Sequence, residues 1–302
     1  MGTPDFAVPS LEILVQHHYP ILAVVTAPDK PRGRGQKVAP TAVKQAALRF
    51  GLPVIEAHSV KDPDFIRRIA DLHPDLLVVV AFRILPKEVL ALPRLGSINL
   101  HASLLPKYRG AAPINWAIIK GEQETGVTTF LLQERVDAGN ILLQARVPIL
   151  PEDDAGTLHD KLAAVGAEVL LHTIRLMEMN KITPQPQDDS LATPAPKIFK
   201  EDCRIDWRQP AQQIHNRVRG LSPSPAAFTT HNDRIIKIFR TTVTERASHD
   251  EPGTVIIEGR QLFVATADSL LRIEELQQEG HKRMKAEEFL RGYRLNTGEV
   301  FR

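Results

Sequence analysis

The sequence is poor in features that would set it apart from ordinary globular proteins. Cys203 is its one cysteine, which excludes an internal disulfide and a cysteine-based metal knuckle and is typical of a reducing compartment. No apolar run approaches the roughly 18 residues of a membrane-spanning helix, and the N-terminus lacks the pattern of a secretory signal. We therefore expect a cytoplasmic protein without a membrane partner.

Charge of one sign is also nearly absent, because 38 Lys and Arg residues stand against 36 Asp and Glu residues, a net charge of +2. A surface that binds nucleic acid would therefore have to be local. Gly33-Arg34-Gly35 is not followed by the glycine of a dinucleotide fingerprint, and the chain has no GxxxxGK phosphate loop, GxSxG or HExxH motif. These absences argue against a nucleotide cofactor and a metal centre.

The first half of the chain alternates short apolar runs with helical patterns, which predicts βαβ units in a Rossmann-like, doubly wound parallel sheet. We expect helices at Pro40 to Phe50, from Asp62-Pro63 onward, and from a capping-box-like Thr157 and Asp160 to about Met179. The predicted strands are Ile21 to Thr26, Val54 to Ile55, Leu76 to Ala81 and Ile98 to Leu100.

A proline-rich stretch divides the chain, with four prolines between Thr183 and Lys197. We interpret residues 183–197 as a stiff, extended connector between domains 1–182 and 198–302. Short strands with turn signals follow it, and this pattern predicts a small OB-like β-barrel. Its strands are expected at Ala227 to Thr230, Ile235 to Thr242, Thr254 to Ile257, Leu262 to Ala265 and Leu270 to Ile273.

Asn99 and His101 are the first candidates for chemistry. Residues i and i+2 at the end of a strand project from one face, beside the crevice in which open α/β sheets bind ligands. An amide and an imidazole there are able to hold an oxyanion and move a proton. A lone histidine at a strand end is, however, more often a hydrogen-bonded structural residue. Asp137, considered alone, is typical of a turn, because it lies in the sequence Asp-Ala-Gly.

The run from Asn99 to Gly110, Asn-Leu-His-Ala-Ser-Leu-Leu-Pro-Lys-Tyr-Arg-Gly, closely resembles the signature of folate-dependent formyltransferases. The resemblance implies that Asn99, His101 and Asp137 are catalytic and that 10-formyltetrahydrofolate is the co-substrate, with no metal. The positions it assigns to folate binding are Ser103, Leu104, Leu105, Pro106, Phe82, Ile84 and Leu85. Arg83 departs from the glycine that many relatives have after this strand, so its own contact with the folate ring is left open.

A basic loop carries Lys30, Arg32, Arg34 and Lys37 against Asp29. Short basic runs are usually solvated surface, but this loop, the opening Gly2 to Ala7 and the C-terminal part resemble the branch of the family that formylates methionyl initiator tRNA for translation initiation. The resemblance implies tRNA contacts from those four cations, led by Arg34. In the C-terminal part the candidates for a supporting basic face are Arg217, Arg219, Lys237 and Arg240. We expect a monomer with residues 198–302 as the tRNA-binding domain.

The alternative within enzymes is formylation of a small amine, such as glycinamide ribonucleotide or an amino-sugar nucleotide. Another class, a folate- or RNA-binding protein without catalysis, is disfavoured because Asn99, His101 and Asp137 are all in place. Finally, Met1 is followed at once by Gly-Thr-Pro-Asp, where relatives have already completed an apolar strand. We therefore expect Met1 to be an internal methionine of a longer natural protein.

Overall fold

The structure is a computed structural model and describes residues 1–32 and 37–302. The strands are β1 (Val24–Thr26), β2 (Lys30–Arg32), β3 (Lys37–Ala39), β4 (Val54–Glu56), β5 (Leu77–Val80), β6 (Ser97–His101), β7 (Arg109–Gly110), β8 (Glu124–Leu131), β9 (Ile141–Pro148), β10 (Pro194–Ala195), β11 (Ala227–His231), β12 (Arg234–Ala247), β13 (Val255–Glu258), β14 (Gln261–Ala265), β15 (Ser269–Gln278) and β16 (Met284–Lys285). The α-helices are α1 (Val8–Gln16), α2 (Ala42–Arg49), α3 (Pro63–Asp71), α4 (Lys87–Leu90), α5 (Pro113–Ile119), α6 (Ala155–Glu178), α7 (Ala211–Leu221) and α8 (Ala286–Gly292). Short 3₁₀ helices lie at Asp5–Ala7, Asp189–Leu191 and Glu201–Cys203.

The chain forms two compact units. One consists of Met1–Pro113, Thr125–Pro148 and His159–Ala195, and the other of Ile114–Glu124, Ile149–Leu158 and Pro196–Arg302. Among residues 1–32 and 37–302, no helix is long and apolar enough to cross a membrane.

The sheets of the first unit are mixed, which corrects the expectation of a wholly parallel sheet. β1 pairs with β4 and β5 with β6 in parallel, and a helix joins the two strands of each pair. β8, however, runs antiparallel to β6, with Leu100 opposite Thr129 and His101 opposite Thr128. The alternating pattern of the sequence predicts the parallel pairs well, since such pairs need a crossover helix, but it does not report the direction of a strand added at the other side.

Two helix starts illustrate how local chemistry sets the boundaries. Asp62 caps α3 as expected, since its Oδ1 accepts the Asp64 N–H at 3.0 Å. The capping box of α6 lies one turn earlier than predicted: Asp154 Oδ1 accepts the Thr157 N–H at 2.9 Å, and Thr157 Oγ1 accepts the Asp154 N–H at 3.0 Å. Thr157 is thus the third residue of the helix and not its cap.

Residues within the proline-rich segment 183–197, which the sequence predicts as an extended connector, pair with strands of the first unit. β10 within it pairs in parallel with β7. Gln185 forms an antiparallel bridge with Ile141, and Arg109 donates its backbone N–H to Thr193 O at 2.9 Å. Proline lacks a backbone donor but keeps its carbonyl, so a proline-rich segment is able to lie along a strand edge.

The second unit is built on an antiparallel sheet in the order β11-β12-β15-β14-β13, with β16 on β15. Each of the five strands predicted for this region is present. Among the described residues these strands do not close into a barrel, because β11 and β13 do not pair with each other. The C-terminal residues bond to both: Arg302 exchanges hydrogen bonds with Thr230 of β11, and Val255 of β13 donates to Glu299 O at 2.8 Å.

Met1 and Gly2 lie between the edges of β1 and β5. The Gly2 N–H donates to Val25 O at 3.0 Å, and the Val80 N–H donates to Met1 O at 2.9 Å. The Met1 amino group donates to Val78 O at 2.6 Å. Burial lowers the pKa of this amino group to about 5, because a charged ammonium is costly away from water.

An apolar cavity of about 300 Å³ lies next to these residues, lined by parts of α1 and by residues 19–25 and 74–78. Its walls therefore include the segments that enter β1 and β5.

We expect four apolar residues added ahead of Met1 to raise the melting temperature by about 4 °C or more. Such an extension would convert the buried amine to an amide, pair with the two strand edges and fill apolar space. The measurement is thermal unfolding of the extended and unextended chains, with a Gly-Ser extension of equal length as control. Equal melting temperatures for the apolar and Gly-Ser forms would sink the idea.

Candidate active site

The site begins at the carboxyl end of β6, where the two faces of the strand have different surroundings. Leu100 packs on α6 so closely that a Cβ added at Gly166 would lie 2.8 Å from its side chain. Asn99 and His101 therefore project from the opposite face, since side chains alternate along a strand. Within the described part of the chain, no protein group hydrogen-bonds to the half-buried Asn99 side chain, so its amide is available to a substrate.

The His101 ring is held by a backbone carbonyl. Its Nε2 lies 2.9 Å from Tyr108 O, and a carbonyl only accepts, so Nε2 carries the proton. Its Nδ1 faces Asp137 Oδ2 at 3.8 Å, with only 7% of the histidine side chain and 13% of the aspartate side chain exposed. This distance is longer than a hydrogen bond, so the orienting contact comes from Tyr108 O, which sequence reasoning did not identify.

Asp137 is fixed by its backbone conformation and by one amide. Its φ is 50°, the left-handed region that Asp tolerates better than most residues. Its Oδ2 accepts the Gly110 N–H at 2.9 Å. The last two residues of the signature are thus the neighbours of the site: Arg109 and Gly110 form β7, and Gly110 supplies the donor.

The segment predicted to bind folate after His101 is buried and internally bonded. Ser103 donates to Lys107 O at 2.6 Å, and Thr128 donates to Ser103 O at 2.6 Å while accepting the Leu105 N–H at 3.1 Å. Ser103 and Leu105 are buried, and Leu104 and Pro106 are half-buried. Thr128, which the sequence interpretation missed, therefore sets the shape of this segment from β8.

The loop after β5 offers an exposed apolar side chain. Ile84 is 71% exposed, whereas Leu85 is buried in the core beside half-buried Phe82. Arg83 donates to Ala57 O at 3.0 Å and to His58 O at 2.8 Å. The guanidinium thus joins the loops that follow β4 and β5.

Comparison with known protein families shows the family to which this chain belongs. A family model described as formyl transferase matches residues 1–174, and a second, described as formyl transferase, C-terminal domain, matches residues 197–294. The chain belongs to the formyl transferase family. The first match contains Asn99, His101 and Asp137, and the second contains α7, α8 and the antiparallel sheet of this formyl transferase.

Curated relatives of the formyl transferase are similar along their full length. The methionyl-tRNA formyltransferase of Caldanaerobacter subterraneus is 48% identical, covering 100% of this chain and 98% of the relative. That of Syntrophus aciditrophicus is also 48% identical, covering 99% of this chain and 97% of the relative.

Solved structures share the fold of this formyl transferase at lower identity. The N-formyltransferase from Helicobacter canadensis, solved with folinic acid and dTDP-3-aminofucose, has a TM-score of 0.66 at 21% identity, covering 94% of this chain and 97% of that one. HypX from Aquifex aeolicus, solved with tetrahydrofolic acid, has a TM-score of 0.60 at 20% identity over 85% of this chain. The formyl transferase spans 48% of that longer protein.

The cations predicted to contact tRNA lie in different surroundings in this formyl transferase. Lys30 is exposed in β2, and the backbone of Arg32 lies opposite that of Lys37 where β2 pairs with β3. Arg34 lies outside the described residues. In the second unit Arg217 donates one N–H to a backbone carbonyl, Asp202 O, at 2.6 Å.

Arg219 is engaged within the second unit. Its Nη1 donates to Leu150 O at 3.1 Å, Pro151 O at 2.9 Å and Asp153 O at 2.9 Å. Burial lowers its pKa. A guanidinium that satisfies three carbonyls supports the local fold.

His215, one turn before Arg219, is a half-buried histidine. Its Nδ1 lies 2.9 Å from Thr241 Oγ1. Burial, followed by the charge of Arg219, lowers its pKa to about 4. Since the ordinary value is near 6.5, the unfolded chain binds a proton at this residue between those two pH values and the folded chain does not. Stability is therefore lost as pH falls through that window.

We expect acidification from about pH 7.5 to pH 5 to cost about 2 kcal/mol of unfolding free energy through His215 alone. Urea unfolding at both pH values measures it. A His215→Gln variant should lose less stability than the parent between the two conditions, and the matched variant of the exposed His249, His249→Gln, should lose as much as the parent. An equal loss in His215→Gln would contradict the assignment.

Proposed function

We propose that this chain transfers the formyl group of 10-formyltetrahydrofolate to the α-amine of methionyl initiator tRNA. The observation that carries the proposal is the 48% identity over the full chain to relatives named methionyl-tRNA formyltransferase. The arrangement of Asn99, His101 and Asp137 supports it, because these groups match the needs of acyl transfer to an amine.

The proposed chemistry begins with the amine's attack on the formyl carbon, which forms a C–N bond and a tetrahedral oxyanion. The free amide of Asn99 is a donor for that oxyanion. Because Nε2 of His101 is engaged with Tyr108 O, the atom left to receive the amine's proton is Nδ1.

Asp137 completes the proton path. Its Oδ2, 3.8 Å from Nδ1, stabilises the positive charge that the ring gains, or takes the proton itself. When the intermediate collapses, the bond between the formyl carbon and the folate nitrogen breaks, and the same proton returns to that nitrogen. The pair thus accepts and then donates one proton, which balances the transfer.

The formyl donor supplies the carbon that is transferred, and residues on two loops suit its ring. We propose contacts from Phe82, Ile84 and the backbone of Leu85, together with the segment from Ser103 to Pro106. The exposure of Ile84, 71%, supports this because a large exposed apolar side chain at the carboxyl end of a strand is typical of a ligand site. Arg83 takes part by joining this loop to residues 57 and 58.

For tRNA we propose a division of roles along the chain. Residues 1–182 carry the chemistry, 183–197 link, and 198–302 bind tRNA as an OB-like barrel in which the C-terminal residues complete the sheet. Lys30, Arg32, Arg34 and Lys37 contact the phosphate backbone of the acceptor arm, with support from Arg217.

We expect His101→Ala and Asn99→Ala each to lower kcat about 10² to 10³-fold, because each removes a group that acts in the transition state. The assay is formyl transfer with initiator methionyl-tRNA, elongator methionyl-tRNA and glycinamide ribonucleotide offered in parallel. His172→Ala is the control, since this histidine is exposed on α6. Transfer to the small amine and not to tRNA would overturn the proposal in favour of that substrate class.

We expect Arg34→Ala to raise KM for tRNA about fivefold to tenfold and to flatten its salt dependence by about one unit of slope, with kcat unchanged. The measurement is KM as a function of salt concentration. Lys61→Ala, at another exposed cation, should leave both quantities as they are. Salt slopes that are the same for Arg34→Ala and the parent would show that this loop is not a phosphate contact.

A further inference from the structure

The turn that carries Asp137 accepts hydrogen bonds from one side chain, that of Gln187. Gln187 Nε2 donates to Asp137 O at 2.9 Å and to Gly139 O at 2.7 Å. An amide nitrogen has two N–H groups, and here each has a carbonyl of the same turn. Asp137 has a left-handed backbone, so two bonds across the turn oppose its relaxation to a more common conformation.

Gln187 is itself oriented by Arg109 of the signature. Its Oε1 accepts from Arg109 Nε at 3.1 Å and Nη2 at 2.7 Å. The remaining Nη1 of Arg109 pairs with Asp189 at 2.8 Å, and Asp189 also pairs with Arg135 at 2.6 Å. These partners fix which end of the Gln187 amide faces the loop, because the oxygen has to face the guanidinium.

The segment from Gln187 to Ala195 also bonds to the residues that hold His101. The Tyr108 N–H donates to Thr193 Oγ1 at 2.9 Å, and β10 pairs with β7. Tyr108 O holds His101, and the Gly110 N–H holds the Asp137 carboxylate. A Cβ at Gly110 would lie 2.5 Å from Ala195 O, so the two segments are in close contact there.

We propose that Gln187 is a positioning residue for formyl transfer, which sets Asp137 opposite His101 by bonding both carbonyls of its turn. The inference rests on the proposed function, and it gives a catalytic purpose to Arg109 and to the segment from Gln187 to Ala195. Gln187 does not touch the reacting atoms; it acts through Asp137.

Two substitutions of Gln187 test the hydrogen-bond donors of its side chain separately from the acceptor. Gln187→Met has a similar shape and no hydrogen bonds, whereas Gln187→Glu keeps an acceptor for Arg109 and loses both donors to the turn. We expect both variants to lower kcat about tenfold to a hundredfold with KM for tRNA and folate unchanged. Gln185→Met is the matched control, because the Gln185 side chain is exposed two residues away.

The Gly110 amide gives a second readout that needs no turnover. With glycine labelled in ¹⁵N, its resonance reports the bond to Asp137 Oδ2, and we expect it to shift in both Gln187 variants and to stay in place in Gln185→Met. This readout tests the positioning role of Gln187 separately from the proposed function, because the expected shift does not depend on whether the parent formylates tRNA. Wild-type kcat in Gln187→Glu, an effect on KM alone, or an unmoved Gly110 resonance would each overturn the positioning role.

Discussion

The contact between His101 and Asp137 is the constraint on which the candidate site depends. Tyr108 O engages Nε2 of the ring, so Nδ1 is the ring atom that faces the Asp137 carboxyl group. At 3.8 Å, Nδ1 and Oδ2 are too far apart to hydrogen-bond directly. In the reaction that we propose, the proton of the substrate amine is received at this position.

The supports of this pair come from four separated stretches of chain. β6 carries the imidazole, and the turn after β8 carries Asp137. Tyr108, just before β7, supplies a carbonyl for the ring, and Gly110 of β7 supplies an amide for the carboxyl group. The segment before residue 196 bonds to both the turn and β7. The groups that bond directly to the two side chains are backbone groups, Tyr108 O and the Gly110 N–H.

Much of this was predictable from local sequence, and the failures have specific causes. The strands of the second unit follow from short apolar runs with turn residues between them. The shared face of Asn99 and His101 follows from the alternation of side chains along a strand, whereas their choice as candidates rests on the resemblance of the signature. The direction of β8 does not follow from local sequence, because direction depends on a partner distant in sequence. The pairing of β10 with β7 was not predicted, because a proline-rich stretch signals the loss of backbone donors and not the carbonyls that remain to pair. The contacts of Tyr108 O and the Gly110 N–H could not be predicted from the sequence, because residues of nearly every type carry the same backbone groups.

The use of residues 187–195 as a support has a consequence for synthesis on the ribosome. A nascent chain that ends soon after Asp137 already contains Asn99, His101 and Asp137, yet neither the turn nor β7 has its partner. Domains form as units while the chain emerges, and contacts between distant residues wait for the later one. The contacts that hold the turn of Asp137 and β7 are therefore completed only after Ala195 has been made.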